Sequence, residues 1–264
     1  RKNYPALPAI GETDGVFGAD TAAAVRTFQR IFGLTEPQVQ ELLSDLLRRE
    51  DDLTLAPYAG TGEVSLHLSA RAADEAACEA RMAPLLAEVR QRLGGCLYGE
   101  DISGLEEAVF RLCRDRHLTL SAAESCTGGL IAKRLTDVPG ASQIFLGGVV
   151  SYTNEVKNHV LGVPASLLEA YGAVSAPVAR AMAVGVRVLT GSDLSLSVTG
   201  LAGPGGDDRG TPVGTVFTAL SAPDGVFVRR LTLGGSRERI RVLSAHHAFD
   251  LLRRYLTDQM TEGE

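Results

Sequence analysis

Leu118-Thr119-Leu120-Ser121-Ala122-Ala123-Glu124-Ser125-Cys126-Thr127-Gly128-Gly129 runs from a strand pattern, through a polar turn ending in two glycines, into a helical pattern. A strand that passes by a short turn directly into a helix is the repeating unit of layered α/β domains. The same texture continues outward. Strand-like runs recur at Leu146 to Tyr152, Leu194 to Thr199, Gly214 to Leu220 and Val226 to Leu233, with helical patterns such as Ser175 to Leu189 and Arg237 to Leu256 between or after them. The last two strands are separated only by Ser221-Ala222-Pro223-Asp224-Gly225, too little chain for a helical crossover, which predicts an antiparallel hairpin. Residues 102–264 are therefore expected to form a three-layer α/β/α domain around a mixed sheet. Ser103 and Glu106 supply a capping box ahead of its first helix.

Two shorter stretches precede it. In 35–101, Val39, Leu42, Leu43, Leu46 and Leu47 recur at helical spacing, and Asp51 to Gly62 breaks that pattern. Val64, Leu66 and Leu68 then alternate with Ser65, His67 and Ser69 as in a half-exposed strand, and Ala73 to Leu93 follows as a long helix pattern. A last short strand around Cys96 to Tyr98 completes a small α+β unit in which His67 falls on the polar face. In 1–34, Thr21 to Phe32 predicts a short helix with Ala24, Val25, Phe28 and Ile31 on its apolar side. Asp14-Gly15-Val16-Phe17-Gly18, Thr21, Ala24-Val25, Phe28-Gln29 and Gly33-Leu34 resemble the later part of the peptidoglycan-binding repeat of cell-wall hydrolases. The stretch holds too few apolar residues for a core of its own, and no binding activity is assigned to it.

The 264 residues are 45% hydrophobic and 22% charged, with net charge −6, values of an ordinary folded protein rather than a disordered or fibrous one. That acidity removes the general electrostatic footprint of a nucleic-acid binder, so an anionic partner needs a local site. No apolar run reaches the roughly 18 residues that span a bilayer and no signal-peptide pattern is present, so a cytoplasmic protein without membrane partners is expected. Cys78, Cys96, Cys113 and Cys126 show no paired spacing, so neither a zinc site nor a disulfide framework is expected.

In an open α/β sheet, ligands gather where strands end and helices begin. After the first strand of the large domain, Ser125 or Thr127 can cap a helix, Gly128 and Gly129 admit close backbone approach, and free amides at the helix start form an anion site; a plain capped turn explains the same residues. After Leu194 to Thr199, the chain runs through Gly200, Gly203, Gly205 and Gly206, a density that favours a ligand-lining loop over a tight turn. Asp207, Asp208 and Arg209 are expected at its solvated edge. Ser142 and Lys157 flank the strand Leu146 to Tyr152. A buried lysine whose neutral form is accessible can activate a serine, although sequence alone does not bring the two together. Arg237 suits a phosphate, and a solvated first-turn arginine is the competing reading. His246 and His247 are expected as core or interface histidines, and His159 at the surface.

Ala123 to Gly129, the segment 140–157, Gly172-Ala173-Val174-Ser175 and Thr199-Gly200-Leu201-Ala202-Gly203-Pro204 together resemble the CinA C-terminal family. Asp52 to Ala59 through Gly99-Glu100-Asp101 is similar to the KH-like linker domain of longer CinA proteins. The large N-terminal molybdopterin-binding-like domain of those proteins has no counterpart here, so its pyrophosphatase activity is not carried over. The resemblance implies hydrolysis of the carboxamide of nicotinamide mononucleotide by a Ser/Lys mechanism, without cofactor or metal. It places Ser142 as nucleophile, Lys157 as base and Tyr152 beside them, and Ser125, Thr127, Gly128, Thr199, Gly200 and Arg237 around the substrate. It also implies a homodimer. The alternative is a non-catalytic nucleotide-binding module of the competence and damage responses. A third reading, a cell-wall-associated protein, would rest on the N-terminal segment alone. A nucleic-acid partner is not expected, because a KH fold clamps its ligand with a GXXG loop and none occurs between Asp51 and Asp101.

Overall fold

The computed structural model describes residues 23–49 and 52–260, which build two sheets, each with its own helical cover. The first is formed by β1 (Ala23–Phe32), β2 (Arg48–Arg49), β3 (Leu53–Ala59), β4 (Glu63–Ala72) and β5 (Leu97–Glu100), and is covered by α1 (Glu36–Leu42) and α2 (Glu75–Leu93). Its order is β2-β3-β4-β1-β5, with antiparallel pairing throughout.

Residues 23–32, expected as part of a helix, are a strand in the sheet interior between β4 and β5. Period two wins over period 3.6 because Val25, Thr27 and Ile31 are β-branched and stand at alternate positions, favouring a pleated surface. Gln29 completes their inward row, buried and donating through Nε2 to Thr27 Oγ1 at 3.0 Å. Ala24 and Phe28, assigned to the same apolar side as Val25 and Ile31, lie on the opposite face. A boundary at 34/35 would cut this sheet, so the α+β unit includes Ala23–Phe32; the remainder of the 1–34 segment, residues 1–22, lies outside the described residues. Within the stretch expected only to break a helix lies β3, and α1 ends at Leu42 in a turn rather than running on to Leu47.

The second unit has the expected three layers. Its elements are α3 (Leu105–Asp115), β6 (Leu120–Glu124), α4 (Leu130–Thr136), β7 (Phe145–Val150), α5 (Asn154–His159), α6 (Ala165–Tyr171), α7 (Ala176–Thr190), β8 (Leu194–Gly200), β9 (Thr215–Ala222), β10 (Gly225–Thr232) and α8 (Arg237–Leu256). The sheet order is β10-β9-β8-β6-β7, parallel across β8-β6-β7 and antiparallel at β9, with the predicted β9–β10 hairpin. Helices α3, α4 and α8 cover one face and α7 the other. Small side chains let α7 approach closely: Ala179 and Ala183 pack on Ala219, and their carbonyls accept from Ser197 and Ser195 Oγ at 2.7 Å. These bonds satisfy hydroxyls that would otherwise be buried at a cost. At the start of α3 it is Glu107, not Glu106, that receives the Ser103 amide and hydroxyl, at 2.7 and 2.8 Å; Glu106 pairs with Arg134 instead.

β6 has β7 on one side and β8 on the other, so the chain leaves it in one direction, crosses back, and continues in the other. The connections after the three parallel strands consequently diverge above their carboxyl ends and open a crevice there. Helix α8 joins the two units: the Phe32 ring lies 5.0 Å from that of His247 and 6.0 Å from that of His246, and Arg253 Nη2 donates to Gly95 O at 3.0 Å. Among the described residues no helix is long and apolar enough to cross a membrane.

Candidate active site

The end of β6 is held from both sides. The Ser125 amide donates to Val198 O of β8 at 2.9 Å, and the Ser151 amide, just past β7, donates to Glu124 O at 2.7 Å. The chain then doubles back through Gly128 and Gly129, whose φ values of +59° and +92° suit glycine. What stabilises this reversal is Glu124. Its fully buried carboxylate accepts the amides of Gly129, Ile131 and Ala132 at 2.9 to 3.1 Å. The helix start expected to bind an external anion therefore already holds an internal one, which suits the positive end of the helix. Neither Ser125 nor Thr127 caps it. From α8, Arg241 donates to Cys126 O at 3.2 Å and Thr127 O at 2.7 Å, fixing the same turn from outside. Among the described residues the Cys126 and Thr127 amides donate to no other residue.

Lys157 enters from α5, whose N-cap Thr153 accepts the Val156 amide at 3.3 Å. Only 1% of Lys157 is exposed. Its Nζ lies 2.6 Å from Ser151 O and 3.1 Å from Ser125 Oγ. Burial disfavours the ammonium and brings the pKa down from 10.5 to about 8, so a sizeable fraction of neutral amine exists in mildly alkaline water. Cys126 beside it is the opposite case: burial pushes its thiol up to about 11, away from thiolate reactivity.

Ser125 and Lys157 open into a cavity of about 420 Å³, within the range of small-molecule sites. Its walls come from the ends of β6 and β8, the segment 172–174 and the loop 200–209. Thr199 Oγ1 donates to Ala173 O at 2.7 Å and ties two of these walls together. Gly200 is required for close approach, since a Cβ there would stand 2.6 Å from a Val216 methyl and 2.9 Å from Thr215 O. At the rim, Arg237 donates to Gly203 O at 2.6 Å and to the Tyr152 hydroxyl at 2.8 Å.

Of the residues predicted from sequence, Ser125, Lys157, Tyr152, Thr199, Gly200 and Arg237 line this cavity, whereas Ser142, Thr127 and Gly128 do not. Thr127 is turned inward, its buried Oγ1 without a partner. Ser142 is the larger correction. It sits exposed in the 3₁₀ turn Ala141–Gln143 at the amino end of β7, whereas Lys157 follows the carboxyl end of that strand. A six-residue strand spans roughly 20 Å, so the expected Ser142–Lys157 pair does not form within the chain. The hydroxyl that meets the amine belongs to Ser125. Asp207, Asp208 and Arg209, expected at a solvated edge, also line the cavity. Arg209 donates to Ala170 O at 3.1 Å and to Glu169 O, bracing the loop against α6. Sequence reasoning assigned no role to Glu124 or Arg241. Their available signals were an acid just ahead of a turn and helix start, and an arginine one helical turn beyond Arg237.

The CinA C-terminal domain matches residues 102–256, well over half of the chain. The chain belongs to the CinA family. The KH domain of damage-inducible protein CinA matches residues 26–99, in keeping with β1 as part of that unit, and a putative peptidoglycan binding domain matches residues 3–36. The chain is 49% identical over 236 residues to a putative competence-damage inducible protein of Symbiobacterium thermophilum, covering 86% of this chain and 55% of that one. It is 47% identical over 227 residues to a protein of the same description from Caldanaerobacter subterraneus, with the same coverage. The CinA-family chain thus spans about half the length of these curated relatives. Among solved structures, a CinA superfamily protein from Klebsiella pneumoniae is 31% identical with TM-score 0.57, covering 59% of this chain and 99% of its own. A competence/damage inducible protein from Agrobacterium tumefaciens is 37% identical with TM-score 0.54, covering 59% and 98%.

Proposed function

We propose that the chain is an amidohydrolase that converts nicotinamide mononucleotide to nicotinic acid mononucleotide and ammonia, with Ser125 as nucleophile and Lys157 as base. The observation that carries this reading is the 3.1 Å contact between the Ser125 hydroxyl and a buried amine whose pKa is brought to about 8. A serine is a weak nucleophile until a neighbour takes its proton, and a desolvated lysine is a suitable acceptor. Neutral Lys157 accepts the Ser125 proton as Oγ bonds to the carboxamide carbon, and the carbonyl π pair moves to oxygen. The amides of Cys126 and Thr127, without other partners, are the available donors for that oxyanion. As the carbonyl re-forms, the C–N bond breaks and the Lys157 ammonium returns its proton to the departing ammonia. Water, deprotonated by Lys157, then attacks the Ser125 ester, and as the C–Oγ bond breaks the Lys157 ammonium returns its proton to Ser125 Oγ and the acid is released. Arg237, with two of its five N–H donors engaged, has donors left for the phosphate.

The test is ammonia release from the mononucleotide and from free nicotinamide. Faster release from the mononucleotide, abolished in Ser125→Ala and retained in Ser142→Ala, is the expected result. Retention of the full rate by Ser125→Ala overturns the assignment, and binding without release at any pH leaves the nucleotide-binding module in its place.

A further inference from the structure

Among the described residues, α1 and α2 cover one face of the first sheet, and α8 meets the other only at its Phe32–Glu63 end. This second face carries Arg26, Phe28 and Arg30 from β1, Ser65, His67, Ser69 and Arg71 from β4, and Thr54 and Tyr58 from β3, as the alternation of the strands dictates. Phe28 stands directly across from His67, their rings edge to face at 4.6 Å, and Tyr58 stacks on the other side of His67 at 4.1 Å. Three adjacent strands thus present a row of touching rings. Phe28 and Tyr58 remain 37% and 47% exposed, although large apolar rings are ordinarily covered.

Arginines predominate around this row, with the Asp101 carboxylate at its Phe28 end. Arg26 and Arg71 make no ion pair among the described residues, and Arg30 bonds through Nε only to Ile102 O. The neighbouring acids are turned to other work. Asp101 receives the Phe28 amide and the Thr27 hydroxyl, Asp52 lies 3.7 Å from Arg81, and Glu63, the remaining outward residue of β4, accepts from Tyr98. A protein of net charge −6 therefore holds a local cluster of arginines around stacked rings. Burial and the nearby arginines lower the pKa of His67, which keeps it a neutral ring at pH 7.

We infer that this sheet face binds single-stranded nucleic acid, with bases stacked on Tyr58 and Phe28 and phosphates held by Arg26, Arg30 and Arg71. Aromatic rings on a sheet flanked by arginines are how a sequence-tolerant single-strand site is built, since every base has a stacking face and every linkage a charge. The absence of a GXXG loop removes the usual KH clamp but not this platform, which uses strands instead of a helix–loop groove. A duplex hides its base faces and is a poor ligand for it.

Fluorescence anisotropy of the full chain with labelled twelve-nucleotide oligothymidylate and oligouridylate tests this, with a duplex of the same length as comparison. The expected result is saturable binding at low salt, stronger for single strands than for the duplex. Affinity should fall about tenfold in Tyr58→Ala and again in Phe28→Ala, as loss of a stacked base predicts. With three phosphates neutralised, log affinity should fall against log salt with a slope of about −2, shallower in Arg26→Gln. Tyr58→Leu keeps the apolar cover without the ring and should bind as weakly as Tyr58→Ala, which separates stacking from loss of folding. The DNA and RNA arms show which polymer is preferred. Absence of binding, equal affinity for duplex and single strand, or affinity unchanged in both ring variants overturns the proposal. Since none of these residues lines the amidase cavity, ammonia release is expected to be unaltered in the same variants.

Discussion

In the proposed reaction Lys157 is the base, and its burial is also a local instability. As a base it must be neutral, so the rate of ammonia release should rise about tenfold per pH unit below pH 8 and level off above it. A profile flat between pH 6 and 9 would remove Lys157 from the base role. The stability effect follows from the same shift. Between pH 8 and 10.5 the unfolded chain binds the proton and the folded chain does not, so stability rises with pH across that window. Below pH 8 both states are protonated and the folded state carries the whole cost, about 3 kcal/mol at 1.36 kcal/mol per pH unit. Lys157→Met should therefore be inactive yet more stable at pH 7 by about 2 kcal/mol, after allowing about 1 kcal/mol for the lost bond to Ser151 O. Urea titrations at pH 7 and pH 10 should show this gain and its decline.

At the scale of elements, the short turn and helix after β6 depend on Glu124. Three amides share its carboxylate, and hydrogen bonds to a buried charge are worth more than neutral ones. Glu124→Ala should cost about 3 kcal/mol in unfolding free energy, and should lower the rate because the turn it anchors carries Ser125. A change below about 1 kcal/mol would mean that water replaces the carboxylate without loss. The location of this turn was legible in the sequence: apolar Leu120 to Ala123, the polar stretch 124–127 and two glycines predict strand, turn and helix. The capping partner was not, because a carboxylate folded back under the next helix leaves no periodic trace. β1 was misread for a related reason. Ala24, Val25, Phe28 and Ile31 fit a helical stripe, and only pairing with β4 and β5 shows that Ala24 and Phe28 face away from Val25 and Ile31.

Over the whole molecule, α8 and the first sheet share a contact that resists protonation. Burial holds His246 near 3 and His247 near 4, with Arg134 and Arg229 adding to the effect and Asp250 opposing it at His247. Both are neutral when folded and titrate near 6.5 when unfolded, so the unfolded chain binds more protons as pH falls below 6.5. Each histidine should then remove about 1.4 kcal/mol per pH unit down to its folded pKa. Glu63, 3.8 Å from His246, acts in the opposite sense just above pH 4.5, because burial holds its carboxyl above the ordinary range. Thermal melts between pH 7 and 4.5 should fall steeply, and less so in His247→Phe, whose ring can keep the contact with Phe32.

Hydrophobic periodicity and turn chemistry are local properties, and they determined the layered domain, the β9–β10 hairpin and the glycine-rich loops, whereas Lys157 stood out through the family resemblance. Which serine meets that lysine was decided by strand pairing. Because β6 and β7 run parallel, their carboxyl ends lie side by side, which brings Ser125 within 3.1 Å of Lys157. The intervening length of β7 carries Ser142, nearer in sequence, to the far edge of the sheet. The row of rings on the first sheet arises in the same way: Phe28, Tyr58 and His67 belong to separate segments, and only the register of three strands makes them one surface.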